Sequence, residues 1–281
     1  MKWQVGKITV TRVVELESVG GKEWLLPEAT TEAIGRLEWL RPHFADADGR
    51  IRMGVHSLLV ETPTRRIIVD TGIGNDKQSR RFPAWNGRKG AFLQDLAAAG
   101  CPADTIDTVL CTHLHADHVG WNTKLVGGRW VPTFNRARYL IGRIEFDWAK
   151  DDRTPARAAV FDDSIRPIAR AGLVDLVDAG HRICDELSLI ATPGHSPGHL
   201  SVHIRSSGEE ALLIGDVAHH PCQMAHPPLV LDRRFRSGAS GSYTQYAVRT
   251  VCRQANSYPW CPFRRWADRA GWRCISHHHV R

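Results

Sequence analysis

The chain has no CxxC pair, no run approaching the roughly 18 apolar residues of a membrane span, and no apolar leader with a small-residue cleavage site in its opening MKWQVGKITVTRVVEL. The first absence excludes zinc knuckles and dithiol redox motifs. The other two make a cytoplasmic protein without a membrane partner the expectation. Seven cysteines, an odd number, make no disulfide framework and read as reduced thiols. Lysine and glutamate are both missing from residues 228–281, which hold ten arginines against two aspartates, a net charge of +8. The whole chain carries +7, so the preceding 227 residues are near neutral at −1. With 42% hydrophobic residues over 281 positions, a mainly disordered chain is excluded and a proper core is expected.

What is present divides at that charge break. Before it there is no internal repeat or low-complexity linker, and residues 1–227 read as one domain. KITVTRVVEL is a β-branched strand, and HSLLVETPTRRIIVDTG reads as two strands joined at a Thr-Pro turn. GAFLQDLAAAG has helical spacing and a glycine stop, and it leads into the apolar strand of TIDTVLCTHLH. RWVPTFNRARYLIG continues the strand pattern, FDDSIRPIARAGL is largely helical, and ELSLIATPGH and EEALLIGD are apolar strands. The fold class is α/β.

Four of these strands end on residues able to bind a ligand: Asp70, His113, His195 and Asp216. A rigid sheet holds reactive side chains in an open cleft at such ends, so the repetition predicts that they converge at one edge. His113, His115, Asp117 and His118 form HLHADH, in which the alternating His113 and His115 can face one divalent ion while Asp117 and His118 face another. The competing reading is a polar surface loop. Against it, His195 lies in TPGHSPGH, where glycine and proline allow close backbone approach, and Asp216 ends an apolar strand where an unpaired carboxylate is costly.

VDTGIGNDK, THLHADHVGW, ATPGHSPGHLSVHI and LIGDVAHHP, in this order and spacing, resemble the metallo-β-lactamase-fold hydrolases over about residues 1–227. The resemblance implies an αββα sandwich of two mixed sheets flanked by helices, with two divalent metal ions at one sheet edge, zinc first and manganese, iron or cobalt as alternatives. It further implies that His113, His115 and His195 hold one ion, that Asp117 and His118 hold the second, and that Asp216 bridges them. Asp70 would accept a hydrogen bond from a ligand histidine and orient it. Two ions about 3.5 to 4 Å apart share a hydroxide that attacks the substrate, and Asp117 would shuttle the proton afterwards. GVHSLLVET, TGIGNDK, FNRARYLIGRIEFDW and GDVAHHPCQMAHP are most similar to the branch containing acyl-homoserine lactonases and phosphotriesterase-like enzymes.

Small esters or lactones are therefore the expected substrates, with phosphotriesters or nucleic acid as alternatives. The near-neutral body, without a basic stripe, speaks against nucleic acid. His219 stands where lactonases of the best-known type carry a tyrosine, and it reads either as a donor to the developing oxyanion or as a partly exposed histidine. Trp121, Phe134 and Trp148 read either as core or as an acyl pocket. GGKEWLLPEA reads as a packed loop, with a lid or a homodimer arm as the alternative.

Residues 228–281 depart from the resemblance. The family pattern expects one more histidine some 40 to 50 residues after the bridging aspartate, and none stands there; His226 comes too early and His277, His278 and His279 too late. The tail reads as an atypical basic segment in place of the domain's last part, which would weaken the second metal site or leave an inactive relic. An RNA-binding extension is one account of it and an altered reading frame is the other. Reading synonymous codons for 251–274 one nucleotide later permits FADRQILIPGAHFAAGRIERAGG, a string that looks like the family's C-terminal segment. Sequencing the gene should find codons that yield that string in the shifted frame; codons that cannot yield it would rule the shift out.

Overall fold

Strand pairing begins at a tight turn, where Gly6 at φ 55° joins β1 (Lys2–Val5) to β2 (Ile8–Val19). The short helix α1 (Thr31–Gly35) follows, and then β3 (Arg52–Glu61) pairs antiparallel with β2 and turns back into β4 (Arg66–Val69). From there the sheet is parallel: α2 (Phe92–Ala98) carries the chain over to β5 (Thr108–Cys111), as parallel neighbours require. Next come β6 (Thr123–Val126) and β7 (Arg129–Pro132), a separate hairpin around Gly127 and Gly128, both at positive φ. β8 (Arg138–Gly142) rejoins the main sheet beside β5, and α3 (Arg143–Asp151), α4 (Pro155–Val160) and α5 (Arg166–Arg170) cross to β9 (Val174–Val177). β10 (Leu187–Ala191), β11 (Leu200–Ser206) and β12 (Glu209–Leu213) form a second, antiparallel sheet. β13 (Trp272–Ile275) adds to it, parallel to β12. The computed structural model describes residues 1–20, 25–27, 29–225 and 272–275. The missing-ligand and reading-frame expectations for the tail lie, apart from β13, outside the described residues, as do His226 and His277 to His279.

Side-chain alternation decides what each face buries. Leu58, Val60, Ile67, Val69, Leu110 and Leu140 point from the seven-stranded sheet onto Leu189, Val202, Ile204 and Leu213 of the second sheet. Their neighbours Leu59, Ile68, Val109 and Tyr139 point the other way, onto Phe92 and Leu96 of α2 and onto Val160, Ile165 and Ile168 of the α4–α5 stretch. The expected pair of sheets with flanking helices is thus present. A third cluster, with Leu25, Leu26, Ile34, Leu40, Ile51 and Cys222, packs the segment after β2, so the described residues of GGKEWLLPEA make a packed loop. Cys101, Cys111, Cys184 and Cys222 are free thiols.

RWVPTFNRARYLIG proves to be two strands of different sheets, β7 and β8. FDDSIRPIARAGL is helical but passes through a π-turn at Phe161–Ile165. Its cause is Pro167, which has no N–H to give to the carbonyl of Asp163 four residues earlier. That carbonyl instead accepts from the Thr123 hydroxyl and from Lys77 Nζ at 3.2 Å. Lys77 and Arg80 both lie with fully buried side chains against the one carboxylate of Asp163, at 3.5 and 2.8 Å, and Lys77 Nζ sits 3.7 Å over the Trp130 ring. Burial pushes Lys77 down to about 7; Asp163 opposes the shift and Arg80 adds to it.

This arrangement makes stability depend on pH in a stated direction. Between pH 7 and the ordinary lysine value near 10.5 the unfolded chain holds the Lys77 proton and the folded chain does not, so stability rises with pH. Above about pH 9 the buried thiols Cys111 and Cys222, pushed up to about 12, act in the opposite direction and close the window. Urea unfolding should show wild type gaining roughly 1.6 kcal/mol relative to Lys77→Met between pH 7 and 8.5, the slope rising from half of about 1.4 kcal/mol per pH unit at pH 7 toward the full value. Parallel pH profiles would contradict it.

Candidate metal centre

Asp70 closes β4 in a left-handed conformation, φ 57°, an arrangement costing about 1 to 2 kcal/mol that aspartate tolerates better than most residues. Its backbone N–H continues the sheet ladder to Leu110 at 2.8 Å, and its side chain turns inward, fully buried. One carboxylate oxygen accepts from the Thr112 N–H at 2.7 Å; the other accepts from the Thr112 hydroxyl at 2.8 Å and from His118 Nδ1 at 2.8 Å. Because the Thr112 hydroxyl gives its hydrogen to Asp70, its oxygen accepts from His113 Nδ1 at 3.1 Å. Both contacts put a ring proton on Nδ1 and turn Nε2 of His113 and His118 into the site, that of His113 as a lone pair.

The His113 lone pair meets others. His115 Nδ1 lies 3.0 Å from His113 Nε2 and 2.7 Å from His195 Nε2, so HLHADH and TPGHSPGH bring three imidazoles to one point. Oδ2 of Asp216 stands beside them, 3.9 Å from His113 Nε2, 3.4 Å from both His118 Nε2 and His195 Nε2, and 3.2 Å from His219 Nε2. Asp117 Oδ2 approaches His118 Nε2 at 3.8 Å but stands outside the groups of side chains that converge most closely. All of the chosen residues, Asp70, His113, His115, Asp117, His118, His195, Asp216 and His219, therefore gather in one place. His219 is buried, not the partly exposed histidine of the bland alternative, and its ring lies 4.8 Å from that of His195.

Several residues that serve this site carried no signal strong enough to choose them. His199, the second histidine of TPGHSPGH, accepts from the Asp216 N–H at 3.2 Å and binds Thr192 through Nδ1 at 2.8 Å, fixing the turn Gly215–Val217 that carries Asp216. Glu15 accepts from the N–H groups of Ile73 and Gly74 and from Trp121 Nε1 at 2.6 to 3.0 Å, fastening the loop that follows Asp70. Trp121 therefore belongs to the core, stacked on Phe92 with centroids 5.6 Å apart, and Phe134 is buried beside Tyr139. Of the three aromatics only Trp148 borders the site, in a small cavity with Leu114, His115, Arg157 and Phe161.

Electrostatics separate the histidines. Burial pushes His115 down to about 3, with the Arg157 guanidinium adding to it, and holds His113 and His195 well below the ordinary histidine range, with neighbouring imidazoles adding to the effect. Burial also opposes a charge on His118, but Asp216, Asp117 and Asp70 outweigh it and raise that imidazole well above its usual value. Burial raises Asp117, and the charge of Asp216 adds to it; Asp216 itself is held well below the carboxylate range because His118 and His219 outweigh its own burial. Three neutral nitrogens thus share contacts that one ring proton cannot fill, beside three carboxylates offset by one imidazolium. Neutral imidazoles and carboxylates converging with too little positive charge suit divalent cations of the zinc kind.

Residues 50–247 match the metallo-beta-lactamase superfamily domain. The chain is a metallo-hydrolase and belongs to that superfamily. It is 26% identical over 193 residues to the probable metallo-hydrolase YybB of Bacillus subtilis, covering 68% of this chain and 72% of that one. It is 23% identical over 176 residues to the N-acyl homoserine lactonase AiiA of Bacillus thuringiensis subsp. kurstaki, covering 58% of this chain and 63% of that one. Among solved structures, the dizinc quorum-quenching lactonase AidC has a TM-score of 0.65 at 20% identity over 91% of this chain and 86% of its own, a likeness of fold. A probable metal-dependent hydrolase from Staphylococcus aureus gives 0.67 at 21% identity over 89% and 84%. The divalent-metal character of the site follows from the family and the clustered ligands together.

The loop after Asp70 and the HLHADH loop are held together by backbone. Thr71 N–H donates to His118 O at 2.7 Å, and Gly120 N–H donates to Gly72 O at 2.7 Å. A Cβ on Gly120 would stand 1.8 Å from the carbonyl oxygen of Ile73, and backbone cannot swing aside as a side chain can. Gly120→Ala should cost about 3 kcal/mol and lower the melting temperature by roughly 6 to 12 °C, read by calorimetry. An unchanged melting temperature would show that the loops are not locked there.

Proposed function

We propose that this chain is a dinuclear metal-dependent hydrolase of small esters and lactones, acyl-homoserine lactones among them. The observation that carries the reading is Asp216 Oδ2, one carboxylate oxygen standing within 3.9 Å of nitrogens from both the His113–His195 group and His118. His113, His115 and His195 would hold one ion, Asp117 and His118 the other, and Asp216 both. Such a pair of ions, when bound, supplies an activated water and neutralises charge on the substrate's carbonyl oxygen. Everything else falls to the protein. Asp70 keeps His118 Nδ1 protonated and its Nε2 available. Asp117, beside His118, takes a proton and returns it to the leaving alkoxide. His219 Nε2, beside Asp216, donates to the carbonyl oxygen as charge develops there, in the place of the tyrosine of other lactonases. Trp148 and Leu114 supply an apolar wall for the acyl chain.

The lactonase relatives support the substrate class, although at 23% identity and over 63% of AiiA's length they do not carry the activity across by themselves. Residues 228–281 stand outside this scheme as a basic tail in place of the domain's last part, and the second ion, short of one histidine, should be held weakly.

Metal analysis of the purified chain should therefore find one tightly held ion and a second of lower occupancy. Two tightly held ions would contradict the weakened second site. A panel of lactone, aryl ester and phosphotriester, assayed with added zinc or manganese, should show lactone or ester turnover. Asp216→Ala should lower it about 10³-fold, corresponding to several kcal/mol of lost charge stabilisation. Turnover equal in wild type and Asp216→Ala, or none in either, would sink the enzyme reading and favour an inactive relic.

A further inference from the structure

The three-histidine group is assembled from two loops with no covalent connection near the site, one after β5 and one after β10, and something must set their spacing. One buried carboxylate binds the backbone of both. Glu145, in the first turn of α3 and 1% exposed, accepts through Oε1 from the N–H of Leu114 at 3.1 Å and through Oε2 from the N–H of Gly198 at 3.0 Å. Leu114 stands between His113 and His115, and Gly198 follows His195 by three residues. The helix is pressed onto the second loop so closely that a Cβ on Gly198 would lie 2.2 Å from the backbone nitrogen of Glu145. A carboxylate in so dry a place is costly unless hydrogen-bonded, and the two loop amides satisfy one oxygen each.

We propose that Glu145 is the positioning residue of the metal centre, a carboxylate latch that sets the distance between the His113–His115 loop and the His195 loop and so the affinity of the three-histidine ion. The inference rests on the metal-site reading above. Its geometry is specific to one ion: Glu145 touches both loops of the three-histidine group, whereas Asp70 binds His118 directly. Only a carboxylate fits, because the side-chain amide of glutamine offers one oxygen and would turn a donor toward the other N–H. Aspartate is one methylene too short to reach both.

The test uses the full chain and the variants Glu145→Gln and Glu145→Ala. Zinc affinity, measured by chelator competition, should fall about 10-fold for Gln and approach 100-fold for Ala, in the range for residues that orient metal ligands. The visible absorption of the Co(II)-loaded protein should change in both variants, because the coordination geometry moves. Amide hydrogen exchange of the metal-free protein should quicken at Leu114 or Gly198 in Gln and at both in Ala, a readout that needs no metal. If wild type holds no zinc yet exchange responds in this way, the metal-site reading fails while the loop latch stands. Unchanged exchange in Gln, or lowered thermal stability with zinc affinity and the Co(II) spectrum as in wild type, would overturn the proposal. Should Ala fail to fold, Gln alone decides it.

Discussion

The Asp70 carboxylate is where the scaffold and the chemistry meet, and its three hydrogen bonds explain why the site can exist. Two reach Thr112 at the end of β5, and the third reaches His118 across the loop. The left-handed backbone that turns this side chain inward is strained, yet the same residue continues the β4–β5 ladder through its N–H to Leu110. One residue thus couples sheet register to histidine orientation. Through the Thr112 hydroxyl the effect extends to His113, so two imidazoles take their orientation from one carboxylate.

Around that anchor the molecule repeats one device, a buried or half-buried carboxylate or imidazole satisfied by loop amides. Glu15 holds the loop after Asp70, Glu145 holds the HLHADH and TPGHSPGH loops, and His199 holds the amide of Asp216. Buried hydrogen bonds, which are expensive to leave unmade, position these loops alongside the apolar contacts of residues such as Leu114 and Val119. Glycines complete the device where backbones touch, at Gly120 against Ile73 and at Gly198 against Glu145. Charge follows the same economy: neutral imidazoles on one side, and carboxylates with a single imidazolium on the other.

Much of this was legible in the chain. Alternation in HSLLVE and RRIIV separates the two faces of the sheet because a pleated strand has period two, and polar residues closing apolar runs marked the sheet edge. HLHADH and GHSPGH named the histidines because metal ligands must be of a few types. The aromatics were less legible: Trp121 and Phe134 went into the core and Trp148 to the site rim, since nothing in an aromatic residue states which side of a loop it will face. RWVPTFNRARYLIG continued the strand pattern without showing that its two strands join different sheets, because the hairpin and the main sheet share the same local preference.

Sequence by itself determined the α/β class, the family and the set of residues fit to bind a divalent ion, because strand periodicity, glycine turns and ligand chemistry are local properties. Only the tertiary structure decided which partners serve them. Glu145 meets Leu114 across 31 positions and Gly198 across 53, and Asp70 meets His118 across 48. A lone glutamate at the start of a helix is indistinguishable in sequence from a solvated one. Its meaning is created when two loops fold over it and remove the water that would otherwise satisfy its charge.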